Sequence, residues 1–312
     1  MRLCRFRIEQ QVRWGLYSPG SIFAIDQAVR REFPDLWLTE SWESLLPIDA
    51  QAWSKFSELV ASGQLRSDAS TRVFAEQDVQ LLPPLAKPPK LLLLAGNYAE
   101  HVKEQGDLAA EKRDTFPYVF MKPPSTTLIG SGTPVAIPSI SPHKIDHEVE
   151  LAVVIGKRIS KCSAAEAMSA VAGYTIINDI SDRGFKPNPG RQTRPRDGFF
   201  DWLHGKWHDG FCPCGPCFVT TDEVADPQQL PLTLSIDGEV RQNGSTAQMV
   251  FSIAEVIEFV SRFVTLEPGD IISTGTPSGV GNATGRYLKP GQSMRAAIEG
   301  IGELNTPVIA EA

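Results

Sequence analysis

The sequence predicts a β-rich α+β fold, and three observations carry that expectation. Short apolar runs with strand character outnumber the segments with helical periodicity. These runs do not alternate with helices as a doubly wound parallel sheet requires. The pair Asp237-Gly238 separates Leu234-Ser235-Ile236 from Glu239-Val240-Arg241, which is the two-residue turn of an antiparallel hairpin.

The elements follow in order. Residues 1–80 form a first unit, expected as a small N-terminal domain. Within it Asp49 is a candidate N-cap for a helix through Trp53, Phe56, Leu59 and Val60, with Gly63 as its stop. The stretch 81–90 carries Pro83, Pro84, Pro88 and Pro89 and reads as a linker to a larger unit spanning 91–312. Leu91–Ala95 is a short apolar run ending at Gly96, consistent with a buried strand. Further strands are expected at 148–155, 174–178, 232–236 and 271–274. Two helices announce their starts by capping boxes, Ser163 with Glu166 and Ser252 with Glu255. The first should end near Gly173. The second presents Ile253, Val256, Ile257 and Val260 on one face and breaks before Glu267-Pro268-Gly269. Residues 184–201 mix glycine and proline with basic side chains and read as a long loop. No repeat or low-complexity tract is visible.

Bulk composition narrows the function classes. Of the 312 residues, 42% are hydrophobic and 21% charged, ordinary for a soluble globular protein. A net charge of −7 gives no basic footprint for nucleic acid, although local cations could still receive an anionic substrate. Arg2, Arg5 and Arg7 occur where a signal peptide would need an apolar stretch, and no apolar run approaches the roughly 20 residues that span a bilayer. Five cysteines in so long a chain do not suggest a secreted disulfide scaffold. The expectation is a reduced, cytoplasmic protein.

The segment Asp146-His147-Glu148-Val149-Glu150-Leu151 carries the chemistry. On a strand Glu148 and Glu150 project from one face, while Val149, Leu151, Val153 and Ile155 fill the other. Two carboxylates about 7 Å apart on an apolar strand repel each other, and a hard divalent cation with oxygen ligands relieves the repulsion. An isolated Glu-x-Glu is more often a solvated face. Asp179, at the end of the apolar run Gly173 to Asn178, supplies a third carboxylate at a strand terminus. Three such ligands leave coordination positions for water and a chelating substrate.

From Leu91 to Val308 the motifs resemble, in order, those of the fumarylacetoacetate hydrolase family. They are Gly96-Asn97-Tyr98-x-x-His101-x-x-Glu104, Phe120-x-Lys122-Pro123, Glu148-x-Glu150-Leu151, Asn178-Asp179-x-Ser181-x-Arg183, Gly205-Lys206, and Leu266-Glu267-Pro268-Gly269-Asp270 leading to Gly275-Thr276-Pro277-x-Gly279-Val280-Gly281. The resemblance implies a mixed β-sandwich roll, a homodimer, and one Mg²⁺ (or Mn²⁺ or Ca²⁺) held by Glu148, Glu150 and Asp179. Some members carry a fourth acidic ligand where this chain has Leu94, which places it with the three-carboxylate subgroup.

The same resemblance implies His101 as general base, oriented by Glu104 three residues on, in a segment that closes over substrate. It implies Lys206 as a catalytic cation and Lys122, Arg183 and Thr276 as substrate contacts. Lys186 and Gly184 depart from the family pattern. The activity implied is metal-dependent hydrolysis of a C–C bond in an acylpyruvate-like 2-keto acid. Decarboxylation of an oxaloacetate-type diacid or isomerisation of a hydroxymuconate-type one shares the enolate and stays open, and a non-enzymatic metal-binding module is the remaining alternative. Cys212-Pro213-Cys214-Gly215-Pro216-Cys217 lacks a second ligand pair for zinc and reads as a turn of packed small residues. His143 and His147 read as structural or exposed.

Overall fold

The computed structural model describes residues 1–36, 40–100 and 115–311. Its strands are β1 (Arg2–Ile8), β2 (Gln11–Ser18), β3 (Ser21–Ala24), β4 (Arg72–Ala75), β5 (Gln80–Leu82), β6 (Leu91–Ala95), β7 (Tyr118–Met121), β8 (Leu128–Ile129), β9 (Val135–Ile137) and β10 (Ile145–Asp146). They continue with β11 (Val149–Ile155), β12 (Val171–Asn178), β13 (Ser181–Asp182), β14 (Cys212–Thr220), β15 (Pro231–Ile236), β16 (Glu239–Ser245), β17 (Ile271–Ser273), β18 (Ser293–Ile298) and β19 (Gly302–Ala310). The principal helices are α1 (Asp26–Glu32), α2 (Gln51–Ala61), α3 (Ala164–Ala167), α4 (Asp197–His204) and α5 (Ile253–Ser261).

The large sheet runs β4-β3-β2-β1-β14-β12-β11-β17-β6-β7, with β5 against β1 and β8 against β14. A second sheet runs β16-β15-β18-β19-β9. Most pairings are antiparallel, but β17–β6, β19–β9 and β14–β8 are parallel, so the fold is the mixed, sheet-rich α+β class that the sequence predicts. The strands of residues 1–80 do not stand apart as a separate sheet: Leu3 pairs with Phe218, joining β1 to β14.

Every residue of β11 and β12 is buried, which explains why these strands are so apolar. Val149, Leu151, Val153 and Ile155 pack on one face with the second sheet and the apolar stripe of α5. Ala152 and Val154 pack on the other with Trp42, Phe56 and Phe120. The alternation expected of this strand holds, and it aims Glu148 and Glu150 at the second of these faces.

Local signals succeed where chemistry is local. Ser252 and Glu255 close their box at the start of α5, and Ser163 and Glu166 do so at α3. Asp237 and Gly238 both take the positive φ that a primed hairpin turn needs. Four expectations are corrected. Ala50, in extended conformation, caps α2 in place of Asp49. The strand before Asp179 starts at Val171, because the helix from Ser163 ends in a 3₁₀ turn at Ala170. The loop beginning at 184 ends at 196, since Arg191 and Arg194 bind Asp197 at the start of α4. The cysteine run is a fully buried strand, not a turn. Among the described residues no helix is long and apolar enough to cross a membrane.

Candidate metal and substrate site

Antiparallel register brings the three acids together. Val149 stands opposite Asn178, so Glu148 and Asp179 meet where β11 begins and β12 ends. Two bonds fix the junction: Asp179 N–H donates to the Glu148 carbonyl at 2.8 Å, and Glu148 N–H donates to Asn178 Oδ1 at 2.9 Å. Carboxylate oxygens of Glu148, Glu150 and Asp179 all lie within 4.8 Å of one another, and all three residues are buried.

Glu150 Oε2 accepts from Ser273 Oγ at 2.6 Å and from Gly275 N–H at 2.9 Å, while its Oε1 is buried with no hydrogen-bond partner among the described residues. Burial, followed by the charges of Asp179 and Glu148, pushes the Glu150 carboxyl well above the usual range. An all-oxygen, anionic, buried set with an orphaned lone pair fits a hard divalent cation. The Tyr98 hydroxyl is also buried without a partner among the described residues, and burial and the Glu150 charge raise its pKa.

Three cations face these acids. The Lys206 ammonium donates to Glu148 Oε2 at 2.9 Å and to Asp179 Oδ2 at 2.5 Å. Burial alone would lower its pKa, but the Asp179 and Glu148 charges outweigh that and raise it, so Lys206 stays protonated. The rings of Phe120 and Trp202, packed edge to face, stand 5.3 and 5.8 Å from the same ammonium and close it off as a cation–π wall. Arg183 reaches Glu148 Oε1 through Nη2 and Asp146 Oδ2 through Nε at 3.0 Å. Lys122 pairs with Asp179 Oδ1 at 2.5 Å and donates to the carbonyls of Ile180 and Phe211.

A cavity of about 150 Å³ opens beside the carboxylates, lined by Glu148, Arg183, Lys206 and Thr276 with Leu94 and Trp202 as its apolar wall. Lys206, Arg183 and Thr276, singled out from sequence, therefore share one chamber. Lys122 is only 1% exposed and is not among the lining residues; it buttresses Asp179 from behind. The Thr276 hydroxyl already donates to the Val149 carbonyl at 2.8 Å, so it can offer a ligand only a lone pair. His101 and Glu104 lie outside the described residues. A larger cavity of about 690 Å³ borders Tyr17, Trp53 and Thr220, away from the clustered carboxylates.

Sequence reasoning passed over Asp146. Its buried carboxylate accepts from the N–H groups of His147 (2.9 Å), Gly281 (2.5 Å) and Asn282 (3.0 Å) as well as from Arg183. Against the burial that would raise it, the Arg183 charge and these donors hold its pKa below the usual value. The available signal was its position two residues before Glu148, which on a strand places it on the same face. His147 is buried beside Asp146, and desolvation lowers its pKa; His143 is exposed. Cys212, Cys214 and Cys217 are buried, free, and part of no ligand cluster among the described residues.

The family model for the fumarylacetoacetate (FAA) hydrolase C-terminal region matches residues 90–309. An uncharacterized protein of Pyrococcus horikoshii is 44% identical over 72% of this chain and 90% of its own length. The mitochondrial oxaloacetate tautomerase FAHD2A of Bos taurus is 41% identical over 76% of this chain and 72% of its own. Among solved structures, maleylpyruvate hydrolase from Sphingobium sp. SYK-6 in complex with manganese(II) ion and pyruvate is 28% identical, with a TM-score of 0.76 over the whole of both chains.

Proposed function

Because the chain belongs to the fumarylacetoacetate hydrolase family, we propose that it is a divalent-metal-dependent enzyme acting on a compact 2-keto diacid through its enolate, with keto–enol tautomerisation of an oxaloacetate-type substrate as the reaction. The convergence of Glu148, Glu150 and Asp179 on a cavity that also holds Lys206 and Arg183 carries this reading. About 150 Å³ suits a small acid of few carbons, and relatives named oxaloacetate tautomerase share 36–41% identity with the chain.

Glu148, Glu150 and Asp179 would hold the ion, which when bound supplies Lewis acidity and a template for the 2-keto acid oxygens. Arg183, anchored on Asp146, is placed to receive a substrate carboxylate. Lys206 is charged and desolvated, so it acts as proton donor and electrostatic partner to the developing enolate oxygen, not as base. Leu94 and Trp202 exclude water from that side. His101, oriented by Glu104, is the proposed base at the carbon that loses its proton.

The manganese and pyruvate complex of maleylpyruvate hydrolase supports a second reading, hydrolysis of an acylpyruvate-type C–C bond over the same site. One screen separates the two: metal-loaded protein is offered oxaloacetate, acylpyruvates and hydroxymuconates, with enol absorbance and products followed. Loss of enol absorbance without new acids indicates tautomerisation, whereas release of pyruvate and a second acid indicates hydrolysis. Full turnover by Glu150→Ala, or no turnover of any 2-keto acid, sinks the proposal.

A further inference from the structure

Val149 lies between the two glutamates, and its backbone groups need partners. Glu148 and Asp179 bond on the β12 side of β11. On the other side β17 pairs only with Ala152, Val153 and Val154, and it stops at Ser273. Beyond the reach of that strand, side chains complete the ladder. Thr276 Oγ1 donates to the Val149 carbonyl at 2.8 Å, and Val149 N–H donates to Gln242 Oε1 at 3.1 Å.

Gln242 belongs to β16, in the other sheet. The register of β16 against β15 slips between Leu234↔Gln242 and Ser235↔Val240, a bulge that leaves Arg241 as the extra residue. Bulges bend a strand and re-aim its side chains. Here the residue after the extra one is fully buried, whereas Val240 before it is 59% exposed. The Gln242 amide is used at both ends: Nε2 donates to Thr276 Oγ1 at 2.8 Å and to the Pro277 carbonyl at 2.9 Å.

We propose that Gln242 is a positioning residue for the metal-ligand pair, standing in for the missing strand at Val149 and thereby setting the spacing of the Glu148 and Glu150 carboxylates and the place of Thr276. Among the described residues its side chain bonds only Val149, Thr276 and Pro277, and it is not among the residues lining the cavity. Its influence passes through the Val149 backbone and the Thr276 hydroxyl. Without it, a buried N–H between two ligands loses its side-chain acceptor, and the strand end relaxes to find another. The inference rests on the reading that the three acids hold a divalent ion.

The test is Mn²⁺ binding by calorimetry to the full chain stripped with chelator, with the electron paramagnetic resonance of bound Mn²⁺ as a second readout. Gln242→Leu removes every bond and should weaken Mn²⁺ by about 10- to 100-fold, the range for losing a residue that orients metal ligands. Gln242→Glu keeps the shape and the acceptor but faces Thr276 and Pro277 with oxygen; it should weaken Mn²⁺ by about 10-fold and serves if the leucine variant does not fold. Leu232→Ala, in the core of the same second sheet, lowers melting temperature without touching the network and should leave affinity within about threefold. Wild-type affinity in both Gln242 variants overturns the inference, as does an equal loss in Leu232→Ala. Absence of Mn²⁺ binding by the wild type overturns the ion site itself.

Discussion

Asp146 accepts the Nε–H of Arg183 at 3.0 Å, and this pairing sets the direction in which the guanidinium faces the cavity. Because Asp146 is completely buried and also receives three backbone N–H groups, its position is fixed independently of any ligand. Asp146→Asn turns one acceptor into a donor opposite groups that are all donors. The expected result is a fall of about 10- to 100-fold in kcat/KM, from losing a hydrogen bond to a charged group, expressed mainly in KM. Steady-state kinetics on oxaloacetate checks it; an unchanged KM would separate Arg183 from substrate carboxylate binding.

Glu150 stores an electrostatic penalty when no ion is present. Its folded pKa lies above its unfolded value of about 4.5, so the unfolded chain gives up the proton first. The metal-free protein should therefore lose stability as pH rises from about 4.5 toward the raised folded value. Glu150→Gln should abolish that slope and raise metal-free stability near neutral pH, and it should lose the melting-temperature increase expected of the wild type on loading a divalent ion. Urea titrations in chelator, repeated across pH, read both effects.

Gly281 is kept small by Asp146. A Cβ at this position would lie 2.7 Å from Asp146 Oδ1 and 2.7 Å from the Arg286 carbonyl. Gly281→Ala must relieve both contacts, at about 1–3 kcal/mol of stability. Moving the Asp146 carboxylate also turns Arg183, so kcat/KM should fall with stability. A melting curve paired with kinetics tests the coupling, and lost stability with unaltered kinetics would argue against it.

Burial pushes the Cys214 and Cys217 thiols up to about 12. In the unfolded chain they ionise near 9.0, so from there upward the unfolded state releases protons that the folded state keeps. Each should cost about 1.4 kcal/mol of stability per pH unit between those values. Native protein at pH 8 should react with a thiol reagent only as fast as it opens; rapid labelling of either thiol would contradict the buried strand.

The strand alternation that places Glu148 and Glu150 together, the two capping boxes and the Asp237-Gly238 turn were legible in the sequence because each is decided within a few residues by backbone geometry. The order of motifs from Gly96 to Gly281 pointed to the family. Where Asp179 and Lys206 come to rest was decided by the β11–β12 register and by where α4 ends, at His204, which no local pattern encodes. Lys122, a substrate contact by the family resemblance, lies buried against Asp179 in the structure, since only packing determines which way a long side chain turns. Gln242 gave no signal at all: its importance comes from a bulge in one sheet that delivers an amide to a strand of the other. Sequence period fixed which face the acids occupy; the pairing of distant strands decided what meets them there, because those contacts are made across the fold and not along the chain.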